Sequence, residues 1–298
     1  MARRSGWAFG LMLWMAGLPV AAQDWRHVGT VDAVARRPDG VELAAGAVRV
    51  RISAWADGVL RVRMAPDGRF ASTPSWAVTG APAPGPVAVD EDAGTVRVRA
   101  AGLVAEVAKS PLRVRILDGG GHVLVADIAP MGVDGARVRA WQAAPADAHY
   151  YGLGDKPGPL DRRGRSFVNW NTDAYAWQGW SDPLYKSIPF FITLRSGVAS
   201  GLFLDNPARS TFDFARDAPG TLAFGADGGE LDYYVVAGPT PREVLRRYTA
   251  LTGRTPLPPL WALGFQQSRY TYAPEARVRE VAATLRAHRI PADAIWLD

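Results

Sequence analysis

Cysteine is absent from the 298 residues, so no disulfide framework and no thiolate metal site can form. Histidine occurs four times, scattered, which leaves no visible cluster for a metal, and neither metal nor cofactor is expected. Lysine is scarce as well: three of the 34 basic residues are Lys and the rest are Arg, giving a formal charge of +5 against 29 acidic residues. Such a balance would suggest a polyanion partner if the arginines clustered. They alternate with apolar residues instead, in Val48-Arg49-Val50-Arg51, Leu60-Arg61-Val62-Arg63, Val96-Arg97-Val98-Arg99 and Leu112-Arg113-Val114-Arg115. That period puts Arg on the solvated face of half-buried strands and argues against a nucleic-acid partner. Long apolar runs are missing too. The longest, Trp7 to Val20, has about 14 residues and is too short for a comfortable membrane span. No Gly-x-Ser-x-Gly elbow occurs, and Gly152-Leu153-Gly154 lacks the third Gly and the Lys-Ser of a phosphate loop, so it reads as a strained turn.

The first residues have the form of a signal peptide. Ala2-Arg3-Arg4 is a short positive region, Trp7 to Val20 an apolar core, and Val20-Ala21-Ala22 a small-residue cleavage site. Cleavage after Ala22 would leave residues 1–22 behind and place the mature chain in the periplasm or outside the cell, with no stable membrane insertion. An uncleaved anchor is the alternative, and Arg3-Arg4 is a weak twin-arginine hint.

From residue 23 to about Asp147, short period-two strands alternate with turn clusters such as Arg37-Pro38-Asp39-Gly40, Ala65-Pro66-Asp67-Gly68 and Asp118-Gly119-Gly120-Gly121. This texture predicts an antiparallel sandwich, with 79–86 as a surface loop. The stretch 150–182 changes character. It is dense in Gly, Asp, Asn and aromatic residues and poor in periodicity, as functional loops are. Strands resume at 188–194, 201–204 and 231–236. Thr240-Pro241-Arg242-Glu243 then forms a capping box, followed at helical spacing by Val244, Tyr248 and Leu251 and ended by Gly253. The boundary of this sandwich domain, 23–255, falls near Thr255.

Residues 256–298 read as strand, helix and strand. The apolar run Trp261 to Phe265 is the expected first strand, ending in the polar-aromatic tip Gln266 to Tyr272. The helix starts at Pro274 with Val278, Val281 and Leu285 as its stripe and stops before Pro291, and Ala294 to Leu297 is the second strand. A parallel α/β barrel needs eight such units, so this segment is expected to be the truncated start of one, and the chain the amino-terminal piece of a longer protein.

Groups at the carboxyl ends of barrel strands face one mouth, which predicts that Tyr270 and Asp298 converge. A carboxylate beside a ring suits a sugar: the acid accepts hydrogen bonds from vicinal hydroxyls, and the ring packs on the C–H face of a pyranose. Trp170, Asn171, Thr172, Asp173, Tyr175 and Trp177 repeat that composition. Plain alternatives stand beside each reading: a loop cap for Asp298, packing for Tyr270, and sandwich-edge packing for the loop. Glu91-Asp92 reads as solvated, and Asp213 and Asp217 as solvated or turn-bonding.

Taken together, Tyr151-Gly152-Leu153-Gly154-Asp155, Trp170-Asn171-Thr172-Asp173, Ile188-Pro189-Phe190, Pro258 with Leu263 through Tyr272, and Ile290-Pro291-Ala292-Asp293 with Ile295-Trp296-Leu297-Asp298 resemble glycoside hydrolase family 31. The resemblance runs from about residue 25 to the end. It implies a mainly β fold, a galactose-mutarotase-like β-sandwich followed by the first strand-helix-strand of a (β/α)8 barrel. It also implies a retaining α-glycosidase acting on terminal glucosyl or xylosyl residues of α-linked oligosaccharides. In the family, the nucleophilic Asp and the acid/base Asp stand on later barrel strands, the nucleophile in a Trp-x-Asp-Met-Asn-Glu type of motif. No stretch here matches that motif, so no catalytic residue carries over and the 298 residues alone are expected to be inactive. Binding roles do carry over: Asp298 and Tyr270 beside the non-reducing sugar, and Asp173 as the sandwich-loop acid. Two other classes compete with this reading, a non-catalytic carbohydrate-binding sandwich module and a structural sandwich of the cell envelope. Oligomeric state is open.

Overall fold

The alternation of Val and Arg decides the architecture. In the computed structural model, which describes residues 24–297, the valines of Val48–Ala56, Thr95–Ala100 and Leu112–Asp118 are buried while the intervening arginines stay at least partly exposed. Each such strand has one apolar face, and two sheets bury those faces against each other.

The first sheet runs, in spatial order, Ser166–Asn169, Ser210–Phe214, Thr221–Ala226, Arg137–Ala143, Val123–Asp134, Leu112–Asp118, Leu103–Lys109, Thr95–Ala100 and Val87–Glu91, with Arg26–His27 also paired to Val123–Asp134. The second runs Ala148–Gly154, Ser187–Arg195, Val198–Leu204, Leu231–Gly238, Val59–Ala65, Val48–Ala56, Gly40–Ala45 and Ala33–Arg37. All these pairings are antiparallel, and the three turn clusters fall between or just after strands as expected. Valines such as Val50, Val62, Val98 and Val107 fill one part of the core. Aromatic rings fill another: Tyr150 lies 5.0 Å from Phe214, Phe191 5.1 Å from Phe214 and Phe224 5.3 Å from Tyr233 between ring centroids.

The outer face of the second sheet is covered by the helix Pro241–Thr252. Val244 and Leu251 are buried there, and Tyr248 stacks on Phe190 at 3.7 Å. The capping box is half realised: Thr240 Oγ1 accepts the Glu243 N–H at 3.3 Å, but the Glu243 carboxylate turns to Arg246. Further along that face Arg61 and Arg63 are gripped by Asp232 and Glu230, each through two hydrogen bonds.

Contacts divide the chain between Thr252 and Gly253. The smaller unit holds the parallel pair Gln266–Arg269 and Ala294–Leu297, connected through the helix Glu275–Ala287. Two details differ from expectation. The apolar run is not the first strand: Leu260–Leu263 is a 3₁₀ turn, because Pro259 O takes the Ala262 N–H and Trp261 O that of Gly264, and the strand falls on polar Gln266–Arg269. Pro274 is the N-cap rather than the first helical residue. The stripe Val278, Val281, Leu285 is half-buried as expected. Among the described residues no helix is long and apolar enough to cross a membrane. Residues 1–22, expected to be a signal peptide, lie outside the described residues.

Candidate functional site

The irregular stretch 150–182 is more ordered than its composition suggests. It opens with the strand Ala148–Gly154, where Gly152, Leu153 and Gly154 all have positive φ and the pairing with Ser187–Arg195 shifts register, so the Gly-Leu-Gly reads as a bulge. It then contains the strand Ser166–Asn169, unseen in the sequence because its partner Ser210–Phe214 lies far along the chain. After Asn169 the chain leaves the sheet as a loop that returns at Ser187.

Trp170, Tyr175, Trp177, Trp180 and Tyr185 all stand exposed on this loop, Tyr175 at 98% and Trp180 at 78%. Large rings left in water on one short segment mark a surface that meets something. Asp173 sits among them, exposed, and among the described residues its carboxylate takes part in no hydrogen bond or ion pair. At the loop's root, Asn169 is buried, 5% exposed, yet neither its amide nitrogen nor its amide oxygen has a partner among the described residues. An unpaired buried amide costs on the order of 1–3 kcal/mol, a charge that functional sites commonly carry. Asn169 lines a groove together with Trp170, Asn171, Trp76 and Asp205.

The loop is shaped from within and tied from below. Thr172 Oγ1 donates to Trp170 O at 3.0 Å, Gln178 N to Ser181 Oγ at 2.7 Å, and Tyr185 N to Thr172 O at 3.0 Å. Ser187 N donates to Asn171 Oδ1 at 2.8 Å. Beneath it, Lys156 Nζ donates to Val168 O at 2.6 Å and to Asp182 Oδ1 at 2.7 Å.

In the smaller unit, the register Arg269↔Leu297 makes Tyr270 the residue just past the last paired position, and it is 84% exposed. Trp296 Nε1 donates to Gln266 Oε1 at 2.7 Å across the same pair. Asp298 lies outside the described residues. Of the predicted site residues, Asp173 therefore belongs to the larger unit and Tyr270 to the smaller. Sequence reasoning missed Asn169, Lys156 and Asp182. The one signal that could have found Lys156 is its rarity in a chain that otherwise uses Arg. Asp213 is buried and accepts the Arg216 and Asp217 N–H groups, a turn-bonding role.

Residues 49–213 match the domain described as the glycosyl hydrolase 31 N-terminal galactose mutarotase-like domain, and residues 255–298 the glycosyl hydrolases family 31 TIM-barrel domain. Among curated proteins, alpha-glucosidase 2 of Bacillus thermoamyloliquefaciens is 43% identical over 256 residues, 84% of this chain and 32% of the relative. An alpha-xylosidase of Lactiplantibacillus pentosus is 36% identical over 154 residues, 51% of this chain and 19% of the relative. Among solved structures, a Flavobacterium johnsoniae GH31 dextranase complexed with glucose superposes with a TM-score of 0.82 at 31% identity, covering 92% of this chain and 34% of that one. The chain thus spans about a third of the glucosidase and the dextranase, and about a fifth of the xylosidase.

Proposed function

Since the chain belongs to glycoside hydrolase family 31, we propose that the whole protein is a retaining α-glycosidase releasing terminal glucosyl or xylosyl residues from α-linked oligosaccharides. In this reading the 298 residues supply sugar-gripping groups: Asp173 and the aromatic loop from the sandwich, Tyr270 and Asp298 from the start of the barrel. The nucleophile and the acid/base lie in sequence outside them. Retention needs two carboxyls about 5–5.5 Å apart across the glycosidic bond, and only the first strand-helix-strand of the barrel is present here. Residues 1–22 serve as a signal peptide that delivers the protein to the periplasm or beyond, followed by a sandwich domain to about residue 255. The observation that carries the sugar reading is the loop 170–185, with its rings in water around the unpartnered Asp173.

The test is hydrolysis of aryl α-glucosides and α-xylosides. The full-length protein is expected to turn over at least one, while the 298-residue chain stays at the no-enzyme background. Turnover by the short chain would overturn the placement of the nucleophile outside it. In the full-length protein Asp298→Ala is expected to lower kcat/KM about 30-fold, since charged hydrogen bonds are worth roughly 1.5–3 kcal/mol. Tyr270→Ala is expected to lower it about tenfold through lost ring contact, on the order of 1 kcal/mol. Asp173→Ala should act in the same direction, and wild-type kinetics in all three variants would refute the assignment.

A further inference from the structure

The root of the aromatic loop is closed by a charge that the sandwich core does not need. Lys156 has no side-chain exposure at all. Its ammonium donates to Val168 O and to Asp182 Oδ1, while the other oxygen of Asp182 accepts the Val168 N–H at 2.5 Å. Lys156, Asp182 and the peptide groups of Val168 therefore form a closed triangle. Val168 stands just before the loop and Asp182 near its far end, so the triangle joins its two ends. The chain approaching Lys156 is fixed as well: Asp155 N donates to Lys186 O at 2.8 Å, and Lys156 N to Gly154 O at 2.9 Å.

An ion pair with its cation fully buried gains little net stability over an apolar pair of the same volume, because desolvation cancels much of the attraction. What it does supply is direction: the ammonium holds two acceptors at once, a carbonyl just before the loop and a carboxylate near its far end. Arg could not substitute freely, since its planar fork is wider than an ammonium that must meet a carbonyl and a carboxylate from a side chain with no exposure of its own.

We propose that Lys156 is a positioning residue, whose ammonium pins the two ends of the 170–181 loop and so sets the pose in which Asp173 and the surrounding rings meet the sugar. This rests on the α-glycosidase reading for the identity of the ligand, but not for the existence of the clamp. Releasing the clamp leaves the reacting groups untouched and loosens a binding element, so its effect falls on KM.

Full-length Lys156→Met, which keeps length and loses the charge, is compared with wild type by backbone amide hydrogen exchange and by steady-state kinetics on an aryl α-glucoside. Exchange in peptides covering 170–181 is expected to speed up at least tenfold, with peptides from 198–204 and 231–238 unchanged. KM is expected to rise about tenfold with kcat within threefold. Asp182→Asn, which keeps the shape and removes only the charge, is expected to reproduce both effects and carries the test if Lys156→Met fails to fold. Unchanged exchange in the loop would overturn the clamp whatever the protein hydrolyses. Faster exchange with an unchanged KM would overturn the positioning role. A wild type that binds and cleaves no α-glycoside would remove the sugar from the proposal through its parent reading, and the exchange measurement would still show separately whether the clamp exists.

Discussion

Gly154→Ala is expected to cost the larger unit at least about 3 kcal/mol, seen as a fall in melting temperature of roughly 6–12 °C at 2–4 °C per kcal/mol for a domain of this size. Gly154 has φ +80, and a Cβ built there would lie 2.2 Å from Lys186 O and 2.9 Å from Ile188 N. Gly152, at φ +141, is in a region that only glycine occupies readily, and its Cβ would meet Phe190 O at 2.5 Å. Neither neighbour is the end of a flexible side chain; both are backbone, Phe190 within the paired strand Ser187–Arg195 and Lys186 just before it, and that stretch must separate from Ala148–Gly154 to make room. Gly164 is the control. It has φ +73 but nothing within 4 Å of a built Cβ, so Gly164→Ala pays only for left-handed backbone, about 1 kcal/mol. Equal losses at Gly154 and Gly164 would show that close strand approach is not what the Gly-Leu-Gly motif provides. The motif's place in the site follows from the same geometry. A shove at residue 154 displaces residues 186–188, where the aromatic loop returns to the sheet, and Lys156 stands only two residues further on.

What could be read in the sequence divides along physical lines. The Val-Arg strands were legible because a half-buried strand writes its burial as a period of two, and Val48 to Arg51 or Leu112 to Arg115 display it directly. The helix at Pro241 was legible because Thr240 and Glu243 are local capping chemistry. Trp261 to Phe265 misled, since an apolar run of that length suits a strand or a turn equally and Pro258-Pro259 tipped it to a 3₁₀ turn, while the polar strand Gln266–Arg269 carries no apolar signature. Within the candidate site, the exposed rings and Asp173 stood out by composition. Asn169 and Lys156 did not, because a polar side chain is exposed by default and only the fold shows which ones are buried. Asp127 belongs to the same class. It interrupts the mostly apolar strand Val123–Asp134, where pattern alone would send it to solvent.

Stability should therefore depend on pH through Asp127. The residue as a whole is partly exposed, but its carboxyl is turned toward the buried Gln142 and Tyr233. It accepts the Val114 N–H at 2.8 Å and that of Gln142 Nε2 at 3.5 Å. Burial pushes its pKa up to about 7, against the pull of those two donors and of Arg113. Burial also holds the neighbouring Tyr233 phenol well above its usual range. In the unfolded chain the carboxyl titrates near 3.8, so between these values the folded state binds a proton that the unfolded state has released. The stabilisation is therefore complete below the unfolded value, declines as pH rises, and is gone once the folded carboxyl ionises at about 7. Between pH 5 and pH 8 the loss amounts to roughly 2–3 kcal/mol, at about 1.4 kcal/mol for each pH unit over which the two states differ by one proton. Asp127→Asn is neutral throughout and keeps an oxygen for Val114, so it isolates this one group. Thermal melts of both proteins from pH 5 to pH 8 are expected to diverge by roughly 5–10 °C at 2–4 °C per kcal/mol. The gap should already have begun to open at pH 5, above the unfolded value of 3.8, and should widen until the wild type is clearly the less stable at pH 8. Parallel curves would mean that the Asp127 carboxyl stays ionised across the range, satisfied by its two donors and Arg113 in spite of its burial.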